Sequence, residues 1–488
     1  MTNRSNLEGH VRSMAGLAVI MATALAAGLR AHPSSVGVWV STSDGRLRLA
    51  AQPSLSFGPS GETSGVRIAV QPEGVRQPVL GLGSSLEPAT CWNLSLKEAA
   101  DRRQVLRRLL DPVEGIGMSL MRICIGTPDF TGDEWYTYDD LPPGATDPEL
   151  GRFSIERDRR YILPVLREAR AVNPDLRFFA SPWSPPGWMK TTGSVIGGEL
   201  KPEWYAAYAR YFVRFIQAYA AEGIPVHAVT IQNEPGVDRA KERDPDWFYP
   251  SCHWTGEQER DFIRDHLGPT FERHGLGTEI WCYDHNYNVR RQGDDPGLGY
   301  PRTILSDPAA ARYVDGVAFH GYAGRPTGMR VFHEEFSEVP LYFTETSVYG
   351  VQGAVQIIEF LRNWAGSYSA WVTILDEHQQ PNNGPFDADP TCVIFHSDTR
   401  QVSYEFDYFM YGQFMKFIRP GARRIESTPE GGPLPNVAVR NPDGALVLVL
   451  ANPSARERPF TLVCGDQQAR GSALPASVTT LRWTPPSR

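Results

Sequence analysis

Long apolar stretches are scarce in this sequence. The one notable run, Ala15 to Ala27, is short of the ~20 residues that a membrane-spanning helix needs. No integral membrane span is expected. Cysteine is sparse as well. Cys91, Cys124, Cys252, Cys282, Cys392 and Cys464 are scattered, with no C-x-x-C pair and no histidine pair at zinc-finger spacing. That excludes a structural zinc site and leaves three disulfides or free buried thiols equally open. Basic residues are not in excess. The net charge of -8 argues against a nucleic-acid or anionic-membrane partner. The segment "GLGSS" does not complete G-x-G-x-x-G and has no acidic ribose anchor, so dinucleotide binding is excluded. "HWTGEQERDFIRDHLG" lacks the His-Glu-x-x-His spacing of a metalloprotease and reads as a solvated helix face. No metal and no cofactor is expected.

What the chain does contain is a globular composition, 41% hydrophobic and 11% aromatic over 488 residues. That length suits a large barrel with a smaller second domain. Arg4 and Arg12 precede the apolar N-terminal run, and small residues follow it. This pattern predicts a signal peptide over residues 1–35 and an exported protein, or a cytoplasmic one if the start lies further on. Both chain ends have strand character. "VGVWVSTSDGRLRLAAQ" and "GVRIAV" lie near the start. "PNVAVRNPDGALVLVLANPSARERPFTLVC" holds a turn between two β-branched runs. A discontinuous β-sandwich from 36–77 and 420–488 is expected.

Between these ends, short apolar runs alternate with amphipathic stretches. The runs lie at 79–86, 119–126, 177–184, 226–234, 278–286, 314–322, 340–347 and 370–376. The clearest helix is "EWYAAYARYFVRFIQAYAAEG", with Gly223 at its C-terminal stop. Eightfold alternation predicts an α/β fold, a (β/α)8 barrel over 78–419. Chemistry in such a barrel gathers at the C-terminal strand ends. There the runs carry Glu87, Arg122, Asp129, Trp183, Asn233, Glu234, Asp284, His285, Asn286, His320, Tyr322, Glu345 and Trp371. Glu234 and Glu345 end runs four and seven, which face each other across a closed barrel. Paired carboxyls suit glycosidic bond cleavage. Asp129, Tyr249 and Asn383 sit on loops that could face the cleft, and Trp188 reads as support behind it.

"ASPWSPPGWMKTTGS", "TIQNEPG", "GVAFHGY" and "YFTETS" resemble glycoside hydrolase family 30, which includes glucosylceramidases, from about Val79 to Ile418. The resemblance implies that Glu234 is the general acid/base and Glu345 the nucleophile of a retaining β-glycosidase. Asn233 would hold the substrate 2-hydroxyl, and Arg122 would pair with the nucleophile. His320 and Tyr322 would orient the two glutamates, and Trp183 and Trp371 would wall the sugar subsite. Glu87 stands where an aspartate usually binds outer glucose hydroxyls. Gly321, where tryptophan is common, and Thr346, where alanine is common, are departures that weaken the case for glucosylceramide. β-Glucosidase or glucosylceramidase-like action leads. Endo-β-1,6-glucanase, β-xylosidase, β-fucosidase and β-galactosidase action are alternatives. A non-catalytic carbohydrate-binding protein and a transglycosylase are the other classes. The partner is a carbohydrate or glycoconjugate. Glu345 is expected to raise the Glu234 pKa through like charge, giving a bell-shaped pH profile.

Overall fold

The computed structural model describes residues 35–242, 244–386 and 391–485. All but the last residue of the expected leader lies outside that range. No helix among the described residues is long and apolar enough to cross a membrane. The barrel strands are β1 (Gly81–Ser85), β2 (Leu120–Ile125), β3 (Arg177–Pro182), β4 (Val226–Thr230), β5 (Glu279–Asn286), β6 (Gly316–His320), β7 (Leu341–Glu345) and β8 (Ser367–Ser369). They form one parallel sheet in circular order. Bridges between Leu341 and Ala365 and between Thr346 and Ala370 close β7 onto β8.

Seven of the eight predicted runs supply the strands, but the eighth does not. β8 is "SYS", just before "AWVTILD". Ile374–Asp376 joins a separate three-stranded sheet instead. The serines of β8 hide their polarity locally. Ser367 Oγ donates to Phe343 O at 3.1 Å, and Ser369 Oγ donates to Ser84 O at 3.1 Å. With both serine hydroxyls bonded to neighbouring backbone and the Tyr368 hydroxyl donating to that of Tyr411 at 3.4 Å, a polar triplet sits in the barrel wall without an unpaired group.

The barrel interior is layered, as two-residue alternation along the strands requires. Leu120, Phe179, Ala228, Trp281, Ala318 and Tyr342 form a compact apolar plug. Trp281 stacks on Tyr342 at 4.1 Å. Two residues further along four of those strands stand Arg122, Ser181, Thr230 and His320, and Thr344 follows on β7. All five are buried. A bulge on β5 interrupts the alternation. Ala318 pairs with Tyr283, but Phe319 pairs with His285, which leaves Asp284 as the extra residue. Tyr283 and Asp284 both take positive φ, 80° and 62°. The bulge turns Asp284 inward, level with Arg122 and His320.

Both ends of the chain contribute to a ten-stranded sheet. Its inner face is a second core that includes Ile68, Leu446, Leu448, Leu450, Leu462 and Leu481. Val447, Val449 and Ala451 alternate with those leucines and join the barrel's core instead. The strand Leu446–Asn452 is therefore buried on both faces. Of the predicted helices, Tyr205–Ala221 ends before Gly223 at φ 79°, and Phe406–Met415 follows the small sheet. All six cysteines are free, and five are buried.

Candidate active site

The polar layer of the barrel is a closed hydrogen-bond network. Arg122 donates to Asp284 Oδ2 at 2.7 Å, to Asn233 Oδ1 at 2.9 Å and to Ser181 Oγ at 3.2 Å. Its remaining donor pairs with Glu345. Asp284 also accepts from Thr344 at 2.7 Å and Thr230 at 2.8 Å. His320 lies between two acids, with Nε2 3.0 Å from Asp284 Oδ1 and Nδ1 3.3 Å from Glu234 Oε1. The tyrosine hydroxyl of Tyr322 donates to Glu345 Oε1 at 2.8 Å. Asn286 Oδ1 fixes the Tyr322 turn by accepting from its backbone N–H at 2.8 Å.

Glu234 departs from ordinary strand geometry. Its φ is 49°, in the left-handed region that non-glycine residues rarely adopt. Its N–H donates to Asp284 O at 3.1 Å, and that of Asn233 donates to Pro182 O at 2.8 Å. The chain is thus held by β3 and β5 as it leaves β4, with the glutamate turned into the cavity.

Charges in this layer compensate each other. Burial opposes the Arg122 charge, but Asp284 and Glu345 outweigh it and hold the guanidinium protonated. Burial also opposes the Asp284 charge, yet Arg122 and His320 drive its carboxyl well below the usual range. Burial would lower His320, but Glu345 and Asp284 carry it up to about 10. Glu234 runs against expectation. Burial would raise it, and the sequence suggested a further rise from Glu345, but the hydrogen bond from His320 and the charge of His285 bring it down to about 2. Glu234 and His320 form a coupled pair whose proton the imidazole holds.

The cavity above this layer has a volume of about 470 Å³, and its walls include Asp129, Trp183, Asn233, Glu234, Tyr322, Glu345 and Trp371. Trp183 and Trp371 stack at 5.0 Å, and the Arg122 guanidinium lies 4.8 Å from the Trp183 ring. Tyr322 is half exposed at the mouth while its hydroxyl reaches inward.

One expected ligand of the substrate is placed elsewhere. Glu87 is fully buried and caps the helix Pro88–Ser95. Its Oε1 accepts from Thr90 N at 2.7 Å and its Oε2 from Ser85 Oγ at 2.5 Å. Both oxygens are committed to the protein, and Glu87 does not reach the cavity. Asp129 reaches it instead. It is 7% exposed, and its Oδ1 has no protein partner. Burial and the charge of Glu345 raise its carboxyl to about 8. Asn383 does not line the cavity. Its N–H donates to Asp129 O at 3.1 Å, which ties the two loops together. Trp188 lies behind the wall, its indole donating to Asp139 O at 3.0 Å. The sequence departures at Gly321 and Thr346 are neighbours in space. A Cβ at 321 would lie 3.2 Å from Thr346 Oγ1 and 2.7 Å from Phe343 Cζ.

Asp284 stood among the polar strand-end residues of the sequence, beside His285 and Asn286, but without a role. Glu234, His285 and His320 also bring metal-type donor atoms within 4.8 Å of one another. A zinc-like ion there would have to displace the proton shared by Glu234 and His320.

The sequence comparisons match this geometry. Residues 79–418 fit the glycosyl hydrolase family 30 TIM-barrel domain, and residues 421–481 fit the family 30 β-sandwich domain. This chain belongs to glycosyl hydrolase family 30. It is a glycoside hydrolase. An endo-1,6-β-D-glucanase of Neurospora crassa is 31% identical over 89% of this chain and 92% of its own. The lysosomal acid glucosylceramidase of Mus musculus is 29% identical over 86% of this chain and 84% of its own. Among solved structures, an endo-β1,6-glucanase superposes with a TM-score of 0.81 at 31% identity. It covers 92% of this family 30 chain and 99% of its own.

Proposed function

We propose that this enzyme cleaves β-1,6-linked glucan with retention of configuration. Glu345 acts as nucleophile and Glu234 as acid and then base. In the first step a Glu345 oxygen bonds to the anomeric carbon. The bond to the leaving oxygen breaks, and that oxygen takes a proton from Glu234. In the second step Glu234 takes a proton from water, whose oxygen displaces Glu345 and releases the sugar. Arg122 and Tyr322 hold the two Glu345 oxygens and steady its charge between the steps. Asn233 is fixed by Arg122, with its amide available to the 2-hydroxyl. Trp183 and Trp371 supply the wall, and Asp129 offers its free oxygen to an outer hydroxyl.

The observation that carries the chemistry is the His320 bridge. It keeps one proton beside Glu234, while Arg122 neutralises Glu345. Opposite roles for two acids are set by their partners. The linkage rests on the likeness to the Neurospora endo-1,6-glucanase and the solved endo-β1,6-glucanase, each 31% identical to this chain. A second reading, hydrolysis of glucosylceramide, is favoured by the likeness to the mouse enzyme. Incubation with linear β-1,6-glucan and with glucosylceramide separates them. Oligosaccharides from the glucan support the proposal, and release of glucose from the glycolipid alone overturns it.

We take 78–419 as the catalytic unit and 36–77 with 420–488 as one side domain. Export through the N-terminal segment is part of the same reading.

A further inference from the structure

Beside Glu234, Arg239 and Tyr249 on the loop that leaves β4 meet Phe386, which lies on the segment after Ile374–Asp376. Arg239, Tyr249 and Phe386 line the cavity with Glu234. The Arg239 guanidinium sits 4.7 Å over the Tyr249 ring and 5.5 Å from that of Phe386. Phe386 meets Tyr249 at 5.8 Å and Trp247 at 5.5 Å, both edge-on. Phe386 and Trp247 are 38% and 44% exposed. Phe386 in the cavity wall, with Trp247 packed against it outside, leaves aromatic surface for an occupant to cover.

The charge pattern narrows what that occupant is. Arg239 already donates to Glu242 at 2.8 Å and to the Tyr249 hydroxyl at 2.9 Å. Its charge is compensated, so it does not call for an anion. Its two terminal nitrogens each keep a second N–H beyond those bonds, and the side chain lines the cavity. A compensated guanidinium with a spare N–H suits a neutral hydroxyl acceptor. The exposed aromatic rings suit the apolar C–H face of a pyranose.

We infer that Arg239, Tyr249, Phe386 and Trp247 form the subsite for the leaving group, and that it takes a neutral pyranose and not a lipid chain. The inference rests on Glu234 being the acid, since the leaving oxygen lies on the side of its proton donor. It adds what the cleavage reading alone does not contain: named residues that select a sugar aglycone.

The same surface receives an incoming acceptor, because the second step reverses the first. This gives a test independent of natural linkage. The full chain is supplied with 4-nitrophenyl β-glucoside, with glucose or 1-hexanol added. The ratio of transfer product to hydrolysis product is then measured. Both products come from the same glycosyl-enzyme, so the ratio does not depend on the fraction of folded protein.

Transfer to glucose should rise and saturate with concentration, and exceed transfer to hexanol. Phe386→Ala and Arg239→Gln should each lower the glucose ratio about tenfold, the loss of one stacking or hydrogen-bonding contact. Equal ratios in wild type and variants overturn the inference. So does hexanol captured as well as glucose, or no transfer to glucose at all. If the glucoside is not cleaved, the glucosyl reading of the function fails. The ratio is then measured with whichever nitrophenyl β-glycoside is cleaved, and it judges the subsite by the same outcomes. A transfer product with a linkage other than β-1,6 would overturn the proposed linkage while leaving the subsite in place.

Discussion

Nδ1 of His320 lies 3.3 Å from Oε1 of Glu234, and together the two groups hold one proton above the buried carboxylate of Asp284. The proposed acid therefore draws on a proton that its neighbour keeps available.

That arrangement sets the alkaline limb of activity. The wild-type pair loses its proton only as pH passes about 10, where burial is outweighed by the charges of Glu345 and Asp284 on His320. In His320→Gln the proton has only Glu234 to hold it. The alkaline limb of kcat/KM should move to lower pH, read from a pH–rate profile. Stability should respond as well. The folded pKa of His320 is raised, so its contribution is complete below about 6.5 and lost as pH rises through about 10. The melting temperature should fall over that window in the wild type and less so in His320→Gln.

Loss of either proposed catalytic glutamate should be severe but unequal. Glu345→Gln should lower turnover by on the order of 10⁴-fold on every substrate. Glu234→Gln should lower it about 10²–10⁴-fold on glucan and much less on 2,4-dinitrophenyl β-glucoside, whose leaving group needs no proton. Steady-state kinetics on both substrates test the assignment. An equal loss on both would count against Glu234 as acid.

Asp284→Asn should destabilise the protein. Asp284 balances buried Arg122 at 2.7 Å and His320 at 3.0 Å. Removing its charge leaves Arg122 to Glu345 alone. A loss of about 3–5 kcal/mol is expected, as for a broken buried ion pair, measured by chemical denaturation. His320 should also give up its proton more easily, so activity should fail at lower pH than in the wild type.

Glu87→Ala tests the reassignment of that residue. Loss of its cap on the helix Pro88–Ser95 should cost about 1–2 kcal/mol of stability. KM for glucan should stay within about twofold, because neither Glu87 oxygen faces the substrate. A large rise in KM with unchanged melting would restore Glu87 to the sugar subsite.

The sequence carried the fold where its local pattern matched its burial. β2 to β7 are apolar runs buried on both faces, and they stood out as such. β8 did not, because its serines satisfy themselves against neighbouring backbone and look like loop residues in one dimension. The site was legible in the same measure. His320 and Glu345 close β6 and β7 and Arg122 lies within the β2 run, so the runs pointed to them. The inward turn of Asp284 was hidden by the β5 bulge. Strict alternation with Ala318 would have turned Tyr283 inward and Asp284 outward. The Glu234 shift was missed for a related reason. The partner that decides it, His320, is 86 residues away, and which acid it meets is a matter of barrel closure.

The strand Leu446–Asn452 has a consequence for how the molecule can be divided. Its leucines fill one core and its valines another. Cutting the chain before residue 420 would strip the helices Gly350–Arg362 and Phe406–Met415 of apolar cover. The C-terminal segment is thus not a detachable carbohydrate-binding appendage. Barrel and sandwich should melt in a single cooperative transition, and a truncated barrel should aggregate instead of working alone.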